Sequence, residues 1–343
     1  MVVGCVYLLR SRGQARQSFA STLLVMFGSV VFRQQSRERS LPSEEVSEEQ
    51  RSFNVENSEY HAMTSHQSCS MLKSFYRDKS LYYRQFVSGE DPPADLSGKP
   101  QVIVGDLAHQ VLLEKKDINE LVAFYPEDCF KSNGTLNPKP AAAFRDQMAL
   151  AGKIVVKDDI FKRVVGVCNS VLGDELGDLL DRDDLTFEEP IFWTDHGTGL
   201  ECKAKPDFMY VDERHVSIWD LKITESVAPE SWTRIAKKLL YWLQDAHYSN
   251  GAAHLYQRPV EFTFWVVESV PPHRIVMYQF DPISRERSNE CYVKMMGSLA
   301  ECKSEGVWQE EWEHVAQTIV LDPWDVKSAG EELEGFDGET VKA

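Results

Sequence analysis

The spacing of apolar positions changes twice along the chain, and the changes mark out its elements. Aromatic and polar residues are interleaved at near-helical spacing over 65–87, and 102–114 carries Leu107, Val111 and Leu112 on one side of a predicted helix. A second helical stretch covers 160–180. The spacing then shortens. Segments 185–193, 200–211 and 216–223 read as β-rich runs, separated by turn residues such as Asp195, His196 and Gly197, or Asp212 and Glu213. Helical spacing returns over 232–248, where Ile235, Leu239, Trp242 and Ala246 form an apolar stripe. Two further strands, 260–267 and 274–280, are divided by Pro271 and Pro272, and 292–303 closes with a helix. Helices, three strands, a helix, two strands and a helix predict an α/β domain built on one central mixed sheet flanked by helices.

The ends follow another pattern. The first 40 residues are basic and enclose an apolar run over 19–32. That run is shorter than the roughly 20 residues that span a bilayer, and no small-x-small cleavage site follows it. Residues 40–59 hold Glu44, Glu45, Glu48, Glu49, Glu56 and Glu59 with little apolar content, the composition of a solvated linker. The chain turns acidic again near its end. The expected organisation is therefore a basic/apolar segment and acidic linker over 1–61, with a translation start nearer Met63, a folded body over 62–322, and an acidic tail over 323–343.

Composition narrows the function classes. Hydrophobic residues at 43% and charged residues at 27% suit a globular chain rather than a disordered or polytopic membrane one. The net charge of −17 argues against a protein that coats nucleic acid non-specifically, but leaves room for a small basic channel. Seven scattered cysteines with no CxxC pair make a disulfide framework or a metal-sulfur cluster a poor fit, and a reducing, cytoplasmic setting the simplest one.

The segment from Lys203 to Lys222 carries the chemistry. If 212–215 is a hairpin loop, Val211 pairs with Val216 and Asp207 faces Asp220. Directly opposed strand side chains lie about 4.5–5.5 Å apart at Cβ, where like charges repel, so something positive should sit between them. Alternation puts Lys222 on the face of Asp220, and Lys205 on that of Asp207. Two carboxylates beside an ammonium are what metal-assisted phosphodiester hydrolysis uses. A solvated surface hairpin would show the same residues, but Phe208, Ile218, Trp219 and Leu221 make these strands too apolar to lie exposed. Pro206 inside the first strand points to an edge or a bulge.

Pro206 and Asp207 followed by Asp220, Leu221 and Lys222 resemble the PD-(D/E)xK nuclease signature. Gln244 and Tyr248, four apart on the next helix, resemble the QxxxY motif of the RecB-like and lambda-exonuclease-like branch, and Gly105 with His109 resembles its GxxxH motif. The likeness is narrower still to the exonuclease VIII (RecE-type) nuclease domain, through 202–207, 219–222, 244–251, 262–268 and 299–308. It runs from about Ser65 to Trp312 and implies a restriction-endonuclease-like core. It also implies a phage-derived type of enzyme that degrades linear double-stranded DNA from its ends with Mg²⁺, for which Mn²⁺ substitutes, in recombination or repair.

Carried over by position, the resemblance makes His109, Glu188, Asp207, Asp220 and the main-chain carbonyl of Leu221 metal ligands, with Glu189 competing for the place of Glu188. Lys222 becomes the catalytic lysine, working with Asp220 and Asp207 and supported by Gln244 and Tyr248. Lys205, Gln244, Tyr248 and Lys237 would meet the DNA. Partners implied are a single-strand annealing protein and further copies of the chain in a ring; no iron-sulfur cluster and no membrane are expected. His247 and His254 read as structural. Two rival functions stay open: internal cutting of single-stranded or branched DNA, and a binding module that has kept the fold without catalysis.

Overall fold

Pairing across the 212–215 loop organises the whole sheet. The computed structural model describes residues 57–310 together with 313, 315, 316 and 318; the basic segment up to 56 and the acidic tail over 323–343 lie outside the described residues. The chain opens with α1 (Asn57–Ala62), α2 (Cys69–Arg77) and α3 (Pro100–Leu112). Next come β1 (Val122–Phe124), α4 (Pro138–Leu150), β2 (Ile154–Val156) and α5 (Asp158–Gly173). Five strands follow: β3 (Leu185–Phe187), β4 (Ile191–Thr194), β5 (Glu201–Ala204), β6 (Phe208–Val211) and β7 (Val216–Thr224). The rest is α6 (Pro229–Lys238), α7 (Tyr241–Tyr256), β8 (Val260–Glu268), β9 (Ile275–Tyr278) and α8 (Pro282–Glu305).

The central sheet has five strands in the order β3-β6-β7-β8-β9. Only β7 and β8 run parallel, and the crossover between them carries α6 and α7. Val211 lies opposite Val216 and Phe208 opposite Trp219, the expected hairpin register. Alternation then sorts the sheet into two faces. Met209, Ile218, Phe262, Phe264 and Val266 pack beneath α2, α6, α7 and α8. Phe208, Leu221, Trp265 and Val267 pack against the apolar stripes of α3 and α5, which include Val104, Leu107, Leu112, Val164 and Val171. Asp220 and Lys222 share the parity of Ile218, so they point toward the α2 and α7 side.

Several expected elements divide. The run over 185–193 breaks at Glu188, which takes a left-handed φ of +51°, and 200–211 breaks at Lys205 to Asp207, around Pro206. At the first break the chain leaves the central sheet for a separate two-stranded sheet of β4 and β5, and at the second it returns. A second small sheet, β1 paired parallel with β2, lies in a region whose spacing gave no strand signal. The helix over 232–248 is two helices, α6 and α7, parted where Leu240 adopts φ +53°. The closing helix starts at Pro282 rather than 292, because Asp281 caps it by accepting from the amides of Ile283 and Ser284. The packed body also reaches ahead of position 62: Tyr60 of α1 is buried, and its carbonyl accepts from Lys203. Among the described residues no helix is long and apolar enough to cross a membrane.

Candidate metal centre and nuclease site

Two chain breaks converge at one end of the β6–β7 hairpin. Asp207 is the residue just before β6, and the carbonyl oxygen of Asp207 accepts from the Glu188 amide at 3.0 Å, so the kink after β3 is pinned to the kink before β6. That pairing carries the Glu188 side chain over Asp207. His109, on the edge of the α3 apolar stripe, reaches both. Its Nδ1 lies 3.6 Å from Glu188 Oε1, and its Nε2 lies 3.7 Å from Asp207 Oδ2 and 3.0 Å from the Leu221 carbonyl oxygen. One ligand atom from each of His109, Glu188 and Asp207 falls within 4.8 Å of the others. The Leu221 amide donates to Asp207 Oδ2 at 2.6 Å, fixing the carboxylate against β7.

Electrostatics follow from this crowding. Burial pushes the Asp207 carboxyl up, with His109 opposing and the Asp220 charge adding to the rise. Burial disfavours charge on His109, but Asp207 and Glu188 outweigh it and raise its pKa to about 9. For Glu188, burial is overcome by His109 and Lys205, which hold its carboxyl low; Lys205 Nζ lies 2.5 Å from Glu188 Oε2. The free site thus gathers positive charge between its carboxylates.

A second group lies one step along β7. Lys222 forms an ion pair with Asp220 Oδ2, and the Gln244 amide donates to Asp220 Oδ1. Burial opposes the Lys222 charge, and Asp220 and Asp207 more than compensate, so the lysine is held as an ammonium. Asp220 Oδ2 is buried and lacks a well-formed hydrogen bond despite its ion pair. Tyr248, one turn after Gln244, lines the same cleft and packs edge-on against Phe262.

Of the expected site residues, then, His109, Glu188, Asp207 and the Leu221 carbonyl come together, and Asp220, Lys222 and Gln244 form an adjoining cluster. Glu189 stands outside the three-residue group. Lys205 is paired with Glu188, and Lys237 is exposed on α6 away from the residues lining the cleft. The donor set suits a divalent cation: two carboxylates and a carbonyl are hard oxygen donors, and the imidazole is a borderline fourth.

The cleft holds about 570 Å³. Its other wall was not foreseen. It comprises Tyr60 and His61 of α1, Cys69 and Lys73 of α2, and Lys203 of β5. Lys203 is buried and donates to the carbonyls of Tyr60 and Met63, the latter at 2.6 Å, which holds α1 at the rim. The alternation of Lys203 with Lys205 was a usable signal; for Tyr60 and Lys73 the sequence offers none, because their approach depends on how α1 and α2 dock.

Fold and site together define a PD-(D/E)xK nuclease-like domain with a restriction-endonuclease-like core. The chain belongs to the family described as PDDEXK-like domain of unknown function (DUF3799), whose model matches residues 68–318. It is similar to the crystal structure of a candidate exonuclease from Eubacterium rectale, with 13% identity, a TM-score of 0.51, and coverage of 81% of this chain and 99% of that one. A second solved structure, SSO0001, aligns over 56% of this chain and 86% of its own at 16% identity, with a TM-score of 0.23. No curated protein gives a significant match.

Proposed function

We propose that this protein is a Mg²⁺-dependent exonuclease that hydrolyses phosphodiester bonds from the ends of linear duplex DNA, running 5′ to 3′, in recombination or repair. The observation that carries the reading is the convergence of His109, Glu188, Asp207 and the Leu221 carbonyl beside the Asp220–Lys222 pair. The family assignment supports nuclease chemistry, and the Eubacterium rectale neighbour, described as a candidate exonuclease, supports end-dependent action. The RecE-type likeness of 202–207, 219–222 and 244–251 supports the choice of duplex ends. A single-strand annealing partner, assembly into a ring and a cytoplasmic setting belong to the same reading.

His109, Glu188, Asp207 and the Leu221 carbonyl would hold the cation, with Asp220 at its edge. When bound, the cation supplies Lewis-acid activation of a water and neutralises charge developing on the phosphate. The chain's own groups do the rest. Lys222 presents an ammonium next to the reacting phosphorus and stabilises the negative charge that accumulates there. Asp220 and Gln244 fix its position, so little reorganisation is needed during reaction. Tyr248 and the α1 wall shape the entry of the strand.

Incubation of purified full-length protein with Mg²⁺ and either covalently closed or linearised plasmid tests the reading. Linear DNA is consumed and closed circles persist if the enzyme works from ends. Nicking of the closed form would favour the endonuclease alternative, and inertness toward both, with DNA binding retained, a catalytically silent module.

A further inference from the structure

Lys73 projects from α2 into the cleft that holds His109, Glu188 and Asp207. The other two lysines lining that cleft have partners: Lys203 the carbonyls of Tyr60 and Met63, Lys205 the carboxylate of Glu188. Among the described residues, Lys73 Nζ has no carboxylate and no hydrogen-bond acceptor in range. Its ammonium lies over the Tyr241 ring, 5.0 Å from the centroid, and Lys222 Nζ lies 5.3 Å from the same centroid. One aromatic ring therefore gathers two ammonium groups. Asp220 pairs directly with the first, Lys222, whereas the second, Lys73, has no paired carboxylate and feels Asp220 only at longer range.

That asymmetry is costly without an anion. Burial pulls the Lys73 pKa down; Cys69 and Asp220 oppose the shift, and the Lys222 charge adds to it. Packing does not explain the residue, since α2 already buries Met71, Leu72 and Phe75 on its core side, and an uncharged side chain of similar length would cover Tyr241 as well. A cation withdrawn from water, open to a cleft and lacking a counter-ion, is a place for a ligand anion.

We propose that Lys73 binds a nucleic-acid phosphate: across the Tyr241 ring from Lys222, its ammonium holds a non-bridging oxygen of the phosphate next to the one being cleaved. The inference rests on the nuclease reading and adds a second point of attachment for the strand. The Tyr241 ring holds the two ammonium groups near one another. An ammonium, as a point charge on a flexible stem, grips a phosphate whatever base it carries, so this contact positions the strand without reading sequence. The phosphate is either an internal phosphodiester or a 5′-terminal phosphomonoester, and the test separates the two.

Full-length protein is titrated with Ca²⁺ in place of Mg²⁺, the intactness of the DNA being checked on a gel, with fluorescein-labelled linear duplex carrying either 5′-phosphoryl or 5′-hydroxyl ends. Anisotropy is followed from about 50 to 200 mM salt. K73Q and K73M are expected to lose about tenfold in affinity at low salt, and the slope of log affinity against log salt is expected to fall by about 0.7–0.9, one phosphate contact. K73R restores both. Loss in both arms assigns an internal phosphodiester; loss confined to 5′-phosphoryl ends assigns the terminal phosphate. Wild-type affinity and slope in the variants, or lost affinity with an unchanged slope, would overturn the proposal while leaving the nuclease reading intact. Failure of the wild-type protein itself to bind duplex would overturn that reading, and this inference with it.

Discussion

Asp220 commits both carboxylate oxygens, one to the Gln244 amide and one to the Lys222 ammonium, so Gln244 acts on the lysine through a shared acid. Losing such a positioning group typically lowers activity by about 10–100-fold. Gln244→Ala should therefore lower kcat by about that factor with little change in KM, which steady-state kinetics on linear duplex would check. Lys222→Ala should do more: it removes the ammonium at the reacting phosphate and strands a buried carboxylate, a loss of about 3–5 kcal/mol in urea unfolding. Lys222→Ala in an Asp220→Asn background should recover most of that stability and none of the activity.

His247 shows a different residue-scale effect. It is fully buried; the neutral ring, protonated on Nε2, donates to the Lys203 carbonyl at 3.0 Å and accepts from the Tyr292 hydroxyl at 3.3 Å. Burial lowers its pKa from 6.5 to about 4. Between those two values the unfolded chain takes up a proton that the folded chain excludes, so stability falls as pH drops through this window. From pH 7.5 to pH 5 the contribution is about 2 kcal/mol. In His247→Gln, urea unfolding at those two pH values should show a decline smaller by about that amount.

At the scale of elements, α7 is held close to β4 by a missing side chain. A Cβ on Gly251 would lie 2.6 Å from the Trp193 ring, and that ring also packs on His247 at 4.8 Å between centroids. Gly251→Ala should then destabilise the fold by about 1–3 kcal/mol despite the higher helix propensity of alanine, seen as a lower midpoint in thermal or urea unfolding. Replacing Gly297, where an added Cβ meets nothing within 4 Å, should be neutral or mildly stabilising in the same assay.

What could be read ahead of the structure also belongs to this scale. The β6–β7 register was legible because a short polar loop between apolar alternations admits one pairing; the observed pairs run from Val211–Val216 to Phe208–Trp219, and Asp207 lies one residue beyond them. QxxxY spacing put Gln244 and Tyr248 on one helical face, and the Gln244 amide donates to Asp220. The breaks were less legible. Glu188 and Leu240 adopt left-handed conformations without a glycine to announce them, so 185–193 and 232–248 looked continuous. Pro206 did give warning, yet whether it meant a bulge or a change of sheet depends on where β4 runs. Docking of α1 and α2, which closes the cleft, depends on contacts remote in sequence, such as that of Lys203 with Tyr60.

At the scale of the molecule, a chain of net charge −17 has to draw a polyanion into a cleft whose lining includes Asp106, Glu114, Glu188 and Asp207. Local cations and a bound divalent ion would have to outweigh that field, and the approach of DNA should weaken steeply with salt. The central claim is that His109, Glu188 and Asp207 hold this ion. Anomalous diffraction from a crystal of the protein soaked in Mn²⁺ tests it most directly. A single strong peak is expected, bounded by His109, both carboxylates and the Leu221 carbonyl, at ligand distances of about 2.0–2.4 Å. A peak held by other residues, or none in a crystal whose soak solution saturates activity, would contradict it.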